Sequence, residues 1–337
     1  MKLGYKASAE QFDPRTLLEF GVLAEQGGFD SVMIADHFQP WKHTDGHAPF
    51  SFAYLAALGE RTSRVELGTS VLTPTFRYEP AVVAQATATL AMLNPGRVIL
   101  GTGTGEAMNE VPVTGREWPE YKERLARFRE ALTLIEQLWR EDRVTFEGEY
   151  YRTLDATIYD RPADPPPIYI AAGGPRMARY VGRQGAGMIC TSGKGIELYR
   201  DGLIPALVEG ARAADRDPEQ IERMIEVKVA FDSSRERAME DTRNWAALAL
   251  PAEAKSGVDD PRELERLALQ LTAEQTASRW IVSTDPDEHV EQIKTYIDLG
   301  FNHLVFHGPG NDQAAFIERY SEQILPRLRK LTPAKIG

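Results

Sequence analysis

Short apolar runs alternate with helical patterns along most of this 337-residue chain, and that alternation restricts the fold more than any other feature. We interpret the apolar runs as strands at 2–6, 31–35, 65–70, 98–102, 168–172, 188–191, 225–231 and 303–307. The helical patterns lie at 14–26, 50–61, 80–93, 119–141, 175–184, 196–215, 285–299 and 313–331. Strands that are almost continuously apolar are typical of a parallel sheet covered on both faces. We therefore predict an α/β fold, a (β/α)8 TIM barrel.

Two segments interrupt the alternation. Residues 142–167 end in a proline-rich stretch and predict an excursion with a short hairpin. Residues 232–282 predict a long, charged and mostly helical insertion before the last strand. Because no repeat, low-complexity tract or linker divides the chain, we predict one domain over 1–337, a TIM barrel with these two insertions.

Composition excludes several classes of function. The 39 Lys and Arg against 50 Asp and Glu give a net charge of −11, which argues against a nucleic-acid partner. The single cysteine, Cys190, excludes an intramolecular disulfide and a thiolate metal cluster. No apolar stretch is long enough to span a membrane, and the N-terminal residues lack the apolar core of a signal peptide. We therefore predict a cytoplasmic protein with no membrane partner.

Reactive side chains follow the second strand, where Asp36, His37 and Trp41 come directly after an apolar run. In parallel α/β proteins the carboxyl ends of strands carry the chemistry. Imidazole titrates near neutral pH, as a proton acceptor in a cell requires. The sequence therefore predicts a catalytic site at this end of the barrel.

The fourth strand ends in a glycine-rich turn, Gly-Thr-Gly-Thr-Gly at 101–105. Its spacing differs from the dinucleotide-binding fingerprint, and no clear helix follows at the expected place. Glycines here let the backbone approach a planar ligand, while Glu106 and Asn109 can supply a proton and a hydrogen bond.

Two further glycine turns follow strands five and six, at Gly173-Gly174 and before Lys194, and each leads into a helix. A helix N-terminus reached through glycine exposes backbone N–H groups to an anion. Lys255 and Arg279 of the second insertion add positive charge, and a phosphate monoester is usually held by more than one cation. From the residues alone, each cation is either part of a phosphate clamp or an ordinary surface charge.

Two histidine pairs do not point to a metal site. His43 and His47 are spaced like a zinc pair on a helix, but Asp45-Gly46 makes this segment a turn, and we predict no metal ligands there. His303 and His307 flank the last strand, and we expect them to line the barrel mouth.

Several motifs together carry a family resemblance. They are Lys-Ala-Ser-Ala-Glu-Gln-Phe at 6–12, Asp-His-Phe-Gln-Pro-Trp at 36–41, Gly-Thr-Ser-Val-Leu-Thr-Pro-Thr at 68–75, Gly-Thr-Gly-Glu at 103–106 and Thr-Ser-Gly-Lys at 191–194. In this order the chain resembles the F420-dependent glucose-6-phosphate dehydrogenases of actinobacteria, members of the bacterial-luciferase-like superfamily. The resemblance extends over 3–331. It implies a luciferase-like TIM barrel, a homodimer, and coenzyme F420, an 8-hydroxy-5-deazaflavin, as cofactor.

The resemblance also implies roles for individual residues. The implied cofactor contacts are Asp36, Ser70, Val71, Thr73, Glu106, Asn109, Ala172, Gly173, Gly174, Thr191 and Ser192. A non-prolyl cis peptide is expected at Ser70-Val71, and Lys194, Lys255 and Arg279 are expected to bind the substrate phosphate.

In the implied reaction, hydride passes from C1 of a hexose 6-phosphate to C5 of the deazaflavin, and a lactone forms. His37 is the expected base, and Glu106, kept protonated in an apolar site, is the expected proton donor to the ring. Trp41 is expected to wall the sugar, and Glu10 to orient His37 or a sugar hydroxyl.

One position departs from the family pattern. The pocket lysine of the glucose-6-phosphate enzymes is followed by histidine, whereas Lys255 is followed by Ser256 and Gly257. A smaller neighbour loosens the phosphate pocket and removes one potential positive charge, so we expect other hexose 6-phosphates to be accepted as well.

Two other classes of function stay open. One is an F420-dependent alcohol dehydrogenase or an FMN-dependent monooxygenase on the same barrel, neither of which needs three cations around its substrate. The other is a non-catalytic flavin-binding protein, which has no use for His37 and Glu106 beside the ring.

Overall fold

The computed structural model of the chain describes residues 1–255 and 258–337, so the departure at Ser256 and Gly257 lies outside the described residues. Its strands are β1 (Lys2–Ala7), β2 (Ser31–Ile34), β3 (Glu66–Thr69), β4 (Val98–Thr102), β5 (Val144–Glu147), β6 (Arg152–Ala156), β7 (Ile168–Ala171), β8 (Gly187–Thr191), β9 (Glu222–Phe231), β10 (Ile281–Ser283) and β11 (His303–His307).

The α-helices flank these strands. They are α1 (Pro14–Gln26), α2 (Ser51–Arg61), α3 (Pro80–Leu93), α4 (Ala107–Thr114), α5 (Tyr121–Arg140), α6 (Pro175–Gln184), α7 (Ile204–Arg212), α8 (Arg235–Asp241), α9 (Ala252–Lys255), α10 (Pro261–Ala268), α11 (Ala273–Ala277), α12 (Pro286–Asp298), α13 (Gln313–Arg319) and α14 (Leu325–Leu328). Short 3-10 or π-helical segments cover Leu198–Leu203, Pro218–Gln220, Thr242–Ala249 and Tyr320–Ile324. Among the described residues, no helix is both long and apolar enough to cross a bilayer.

A closed parallel barrel forms the centre of the molecule. The strands follow the order β1-β2-β3-β4-β7-β8-β9-β11, and β11 pairs back onto β1. Each of the eight strands predicted from the apolar runs occupies a place in this ring, so the predicted TIM barrel is confirmed. Because all strands of the ring are parallel, their carboxyl ends meet at one mouth.

The barrel interior is layered because alternate residues of each strand point inward. A middle layer is apolar and consists of Met33, Ile99, Tyr169, Ile189, Met224 and Val305. Charged residues lie on either side of it, since β9 places Glu222, Met224, Glu226 and Lys228 on its inner face in succession. The expectation of almost continuously apolar strands is therefore wrong for the inner positions of β9.

The insertions form the structures expected from their composition, with one addition. Strands β5 and β6 form an antiparallel hairpin within 142–167. Helices α8 to α11, together with the 3-10 segment Thr242–Ala249, make up most of the described part of 232–282. The unpredicted strand β10 then pairs with Val229–Phe231 at the end of β9, which extends the sheet beyond the closed ring.

An ionic cluster closes the barrel at the end opposite the mouth. Lys2 Nζ lies 2.8 Å from both Glu66 Oε1 and Glu222 Oε2. His303 Nδ1 lies 2.5 Å from Glu222 Oε1, and His303 Nε2 lies 2.7 Å from Ser31 Oγ. His303 therefore lies at the amino end of β11, and the expectation that it lines the mouth is wrong. The cluster joins five strands, β1, β2, β3, β9 and β11.

We expect Glu222→Gln to reduce the acid sensitivity of folding. Burial alone raises the pKa of Glu222, but the hydrogen bond with His303 and the ammonium of Lys2 outweigh it and lower the pKa to about 2. A carboxyl with a lowered pKa stabilises the fold above its unfolded pKa, and this stabilisation disappears as the pH falls towards 2. A shift of this size corresponds to about 3 kcal/mol at neutral pH.

Urea unfolding between pH 7 and pH 2 tests this prediction. The wild-type free energy of unfolding should fall more steeply below pH 4.5 than that of Glu222→Gln. The exposed Glu60→Gln on α2 is the matched control and should keep the wild-type slope. Equal slopes in wild type and Glu222→Gln would contradict the assignment.

Candidate active site

A cleft of about 430 Å³ opens at the carboxyl ends of the barrel strands. The predicted site residues that line it are Glu10, Asp36, His37, Trp41, Ser70, Val71, Thr73, Glu106, Asn109, Thr191, Lys194, Lys255 and Arg279. The predicted residues outside its lining are Ala172, Gly173, Gly174 and Ser192. The folded barrel thus brings together most of the residues that the sequence singled out.

His37 has one ring nitrogen anchored and the other directed into the cleft. Its Nδ1 lies 3.0 Å from the backbone oxygen of Gln39, an acceptor, so this nitrogen carries the proton when the ring is neutral. Its Nε2 lies 3.5 Å from Glu10 Oε1 and 3.7 Å from Glu106 Oε2. The Trp41 ring lies 5.7 Å away, between centroids. This arrangement leaves the Nε2 lone pair free to accept a proton from a ligand.

Glu106 immediately precedes a helix that the sequence did not predict. Helix α4 begins at Ala107 despite Pro112 in its interior, and the preceding glycine turn resembles a loop in sequence. The Glu106 side chain is 51% exposed. The protein therefore does not by itself supply the apolar enclosure expected around this carboxyl.

Asp36 is held by three side chains. Ser51 Oγ donates to Asp36 Oδ1 at 2.5 Å, Tyr78 donates to Oδ2 at 3.0 Å, and Arg77 pairs with the same carboxylate. Arg77 also pairs with Glu110 at 2.9 Å. Burial raises the pKa of Glu110 to about 7, although Arg77 opposes the shift. Sequence reasoning missed Arg77 and Glu110, although Arg77 lies two residues after the 68–75 motif and Glu110 directly follows Asn109.

Asn109 has a fixed orientation. Its Oδ1 accepts hydrogen bonds from the backbone N–H groups of Phe38, at 2.9 Å, and Gln39, at 3.2 Å. The side-chain amide N–H groups are therefore available on the cleft side. Opposite this residue, the expected cis peptide between Ser70 and Val71 is present.

The turn before α6 has the features of an anion cradle. Neither Gly173 nor Gly174 has any atom within 4 Å of the position that a Cβ would take, and no side chain caps the helix. Open backbone N–H groups at the start of a ten-residue helix suit a phosphate group. Ser192 differs, because its Oγ accepts the backbone N–H of Lys228 at 2.8 Å and so supports the pairing of β8 with β9.

The three predicted phosphate ligands converge on one wall of the cleft. Gly193, with φ of +77°, lets the Lys194 turn approach Arg279, since a Cβ on this glycine would lie 2.5 Å from the Arg279 backbone oxygen. Burial lowers the pKa of Lys255, and the neighbouring charges of Arg279 and Lys194 lower it further. Arg279 Nε is buried without a hydrogen-bond partner among the described residues. The wall therefore carries positive charge that an anion would neutralise.

Sequence reasoning missed a buried cluster on the cleft floor. Glu226 Oε2 lies 3.2 Å from Lys6 Nζ, and Glu226 Oε1 lies 3.4 Å from both Lys228 Nζ and His307 Nδ1. Lys6 Nζ also donates to the backbone oxygen of Ser70 at 2.7 Å. Charged residues two apart in an otherwise apolar strand, at 226 and 228, were the signal available in the sequence.

The chain is similar to known proteins over almost its whole length. The model of the luciferase-like monooxygenase family matches residues 1–303. A protein of Intrasporangium calvum named F420-dependent glucose-6-phosphate dehydrogenase is 63% identical, over 98% of this chain and 100% of its own length. A protein of the same name from Nakamurella multipartita is 62% identical, over 98% of this chain and 97% of its own length.

Solved structures are similar as well. An F420-dependent secondary alcohol dehydrogenase in complex with an F420-acetone adduct aligns with a TM-score of 0.90 and 34% identity, over 96% of this chain and 98% of its own. The F420-dependent tetrahydromethanopterin reductase of Methanopyrus kandleri aligns with a TM-score of 0.80 and 21% identity, over 97% and 99% of the two chains, and supports the fold alone.

Proposed function

The chain belongs to the luciferase-like monooxygenase family, grouping there with F420-dependent glucose-6-phosphate dehydrogenases, and from this membership we propose that it oxidises hexose 6-phosphates at C1 with coenzyme F420. Glucose 6-phosphate is the first expected substrate, and the product is the corresponding 6-phosphogluconolactone. Other hexose 6-phosphates are expected to react as well.

One observation carries the proposal. Lys194, Lys255 and Arg279 line the same cleft as His37, so a substrate can be held by an anionic group at one end while it loses a proton at the other. A secondary alcohol or a monooxygenase substrate needs no such cations. The protein as a whole is acidic, with a net charge of −11, so positive charge gathered in one cleft favours a phosphorylated substrate.

The residues on the opposite side suit coenzyme F420. Asn109 offers its amide N–H groups, Val71 and Thr73 provide a wall for a planar ring, and the Gly173-Gly174 turn leaves room for a phosphate group. We propose Asp36, Ser70, Glu106, Ala172, Thr191 and Ser192 as the remaining cofactor contacts. When bound, the cofactor supplies the carbon that accepts a hydride.

His37 is the proposed general base. The backbone oxygen of Gln39 holds the proton on Nδ1, so Nε2 can remove the proton of the C1 hydroxyl. Glu10, at 3.5 Å from Nε2, stabilises the imidazolium that forms. Trp41 covers the sugar beside His37. Glu106 is the proposed proton donor on the cofactor side, a role that requires the bound cofactor and substrate to enclose its 51% exposed side chain.

The test of the function is the loss of oxidised F420 absorbance in the presence of sugars. Glucose 6-phosphate, mannose 6-phosphate and fructose 6-phosphate are compared with unphosphorylated glucose and with isopropanol. We expect loss with aldohexose 6-phosphates and none with glucose. Loss with isopropanol alone would favour an alcohol dehydrogenase, and cofactor binding with no turnover would favour a binding protein.

Substitution of His37 tests the mechanism. We expect His37→Ala to lower kcat by roughly 10²–10⁴-fold because a general base is lost, with little change in F420 affinity. The matched control is His43→Ala, which removes an exposed imidazole of the same loop outside the cleft. A fall of less than tenfold in His37→Ala would exclude His37 as the base.

We also propose that 1–337 acts as one domain in a homodimer. The insertion at 232–282 contributes Lys255 and Arg279 to the cleft, so it is needed for the same site. Helix α3 has no charged residue and exposes Val82, Met92 and Leu93, which suits contact with a second copy. Light scattering should give a mass of twice 37.6 kDa, and a monomeric mass would contradict the dimer. The cytoplasmic location stays a prediction.

A further inference from the structure

Two buried polar side chains on the cleft floor have unmet hydrogen-bonding capacity. His307 lines the cleft and is 1% exposed; its Nε2 is buried without a hydrogen-bond partner among the described residues, and its Nδ1 faces Glu226 Oε1 at 3.4 Å. Lys228 is 3% exposed, and its ammonium has Glu226 at 3.4 Å as its nearest carboxylate among the described residues. Unpaired buried polar groups are costly, so a ligand that pairs with them gains that free energy on binding.

Strand order places these two residues between the two ends of the proposed substrate. Lys194 follows β8 and His37 follows β2, and the strands between them on one side of the ring are β9, β11 and β1. Lys228 belongs to β9 and His307 to β11. The other side of the ring, β3, β4 and β7, carries most of the proposed cofactor contacts. A sugar ring that joins the phosphate wall to His37 therefore passes over Lys228 and His307.

The chemistry of this floor suits hydroxyl groups. An ammonium donates, and a neutral imidazole whose Nδ1–H faces Glu226 accepts at Nε2. Burial lowers the pKa of His307, which keeps its ring neutral near pH 7. Glu10 Oε2, on the β1 side, is also buried without a partner among the described residues and accepts. Hydroxyls both donate and accept, so a polyhydroxylated ring satisfies all three groups.

The excess of positive charge on the cleft floor also favours a ligand rich in oxygen atoms. Lys6 and Lys228 carry two buried positive charges against the single negative charge of Glu226. Arg279 adds its positive charge near Lys228, which together with burial lowers the pKa of the Lys228 ammonium. Trp245 packs on the His307 ring at 4.4 Å between centroids and so fixes the direction of the ring nitrogens.

We propose that Lys228 and His307 bind the ring hydroxyls of the sugar phosphate and thereby determine which hexose 6-phosphate the enzyme prefers. This inference rests on the proposed function, because it names the part of the same substrate that lies between the phosphate and C1. It makes β9 and β11 the strands that distinguish one sugar stereoisomer from another.

The experiment combines substrate analogues that lack one ring hydroxyl with protein variants that lack one of the two side chains. Affinities of glucose 6-phosphate and its 2-deoxy, 3-deoxy and 4-deoxy analogues are measured by calorimetry for wild type, His307→Phe and Lys228→Met. We expect at least one deoxy analogue to bind wild type about tenfold more weakly than the parent, as expected for an unpaired polar group. That difference should shrink to within twofold in the variant that lacks the partner side chain.

The matched control is His289→Phe, which removes a buried imidazole that pairs with Tyr320 at 2.7 Å and does not line the cleft. It should keep the wild-type ratio between parent and deoxy analogue. A uniform loss for all four ligands in both cleft variants would overturn the proposal, because a merely structural role weakens every ligand equally. If His307→Phe does not fold, His307→Gln and Lys228→Met carry the test.

Binding and turnover separate this inference from the proposed function. The affinity difference between parent and deoxy analogue could shrink in His307→Phe or Lys228→Met while no sugar phosphate reduces F420. This result would overturn the proposed dehydrogenase activity and support the hydroxyl site. Turnover of hexose 6-phosphates with unchanged ratios in both variants would support the dehydrogenase and overturn the hydroxyl site. Absence of any sugar phosphate binding by wild type would overturn both.

Discussion

The burial of Glu226 at the centre of the barrel mouth is the constraint on which the site depends. A carboxylate in this position needs compensating charge, and it receives it from Lys6 on one side and Lys228 on the other. Burial by itself raises the pKa of Glu226, but the two ammonium groups and His307 lower it well below its usual range. Lys6 belongs to β1, Glu226 and Lys228 to β9, and His307 to β11. Their pairing therefore connects three neighbouring strands of the ring, including β11 and β1, whose pairing closes the barrel.

The same cluster divides the mouth into two halves. Lys6 also donates to the backbone oxygen of Ser70, so the charge network reaches the strand that walls the proposed cofactor side. On that side Asn109 holds the loop after β2 through two backbone N–H groups, and the same loop fixes His37. The proposed base, His37, is therefore positioned by contacts from both the proposed cofactor side and the proposed substrate side. Its location between Glu10 and Glu106 follows from this packing.

The sequence was sufficient for the barrel and for the residues at the strand tips. Apolar runs identify a strand when both its outward-facing and its inward-facing residues are apolar. Glycine turns and clustered polar residues then mark the carboxyl ends of the strands. The charged residues inside the barrel were harder to predict from the sequence. Glu226 lies within an otherwise apolar run, and an apolar run predicts a strand buried among apolar side chains on both faces. His303 was assigned to the wrong end, although it is the first residue of the predicted strand 303–307 and the mouth of a parallel barrel lies at the carboxyl ends of its strands.

Helix α4 and strand β10 were missed for different physical reasons. A glycine turn before α4 and Pro112 within it both disfavour a helix locally, and the tertiary contacts of Asn109 and Glu110 override that preference. Strand β10 has only three residues and forms because the end of β9 offers an unpaired edge. Neither contact between distant segments is encoded by local propensity.

Closure of the ring by β1 and β11 has a consequence for how the protein is made. Lys2 faces His303 across this seam, so β1, which is synthesised before the other strands of the ring, pairs with β11, which is synthesised after them. Until β11 is synthesised, β1 has an open edge, the kind of edge that recruits other chains. Inward-pointing charges make such an edge a poor template for aggregation, and β1 carries two of them, Lys2 and Lys6. The lysines that complete the folded barrel thus also protect the unfinished one.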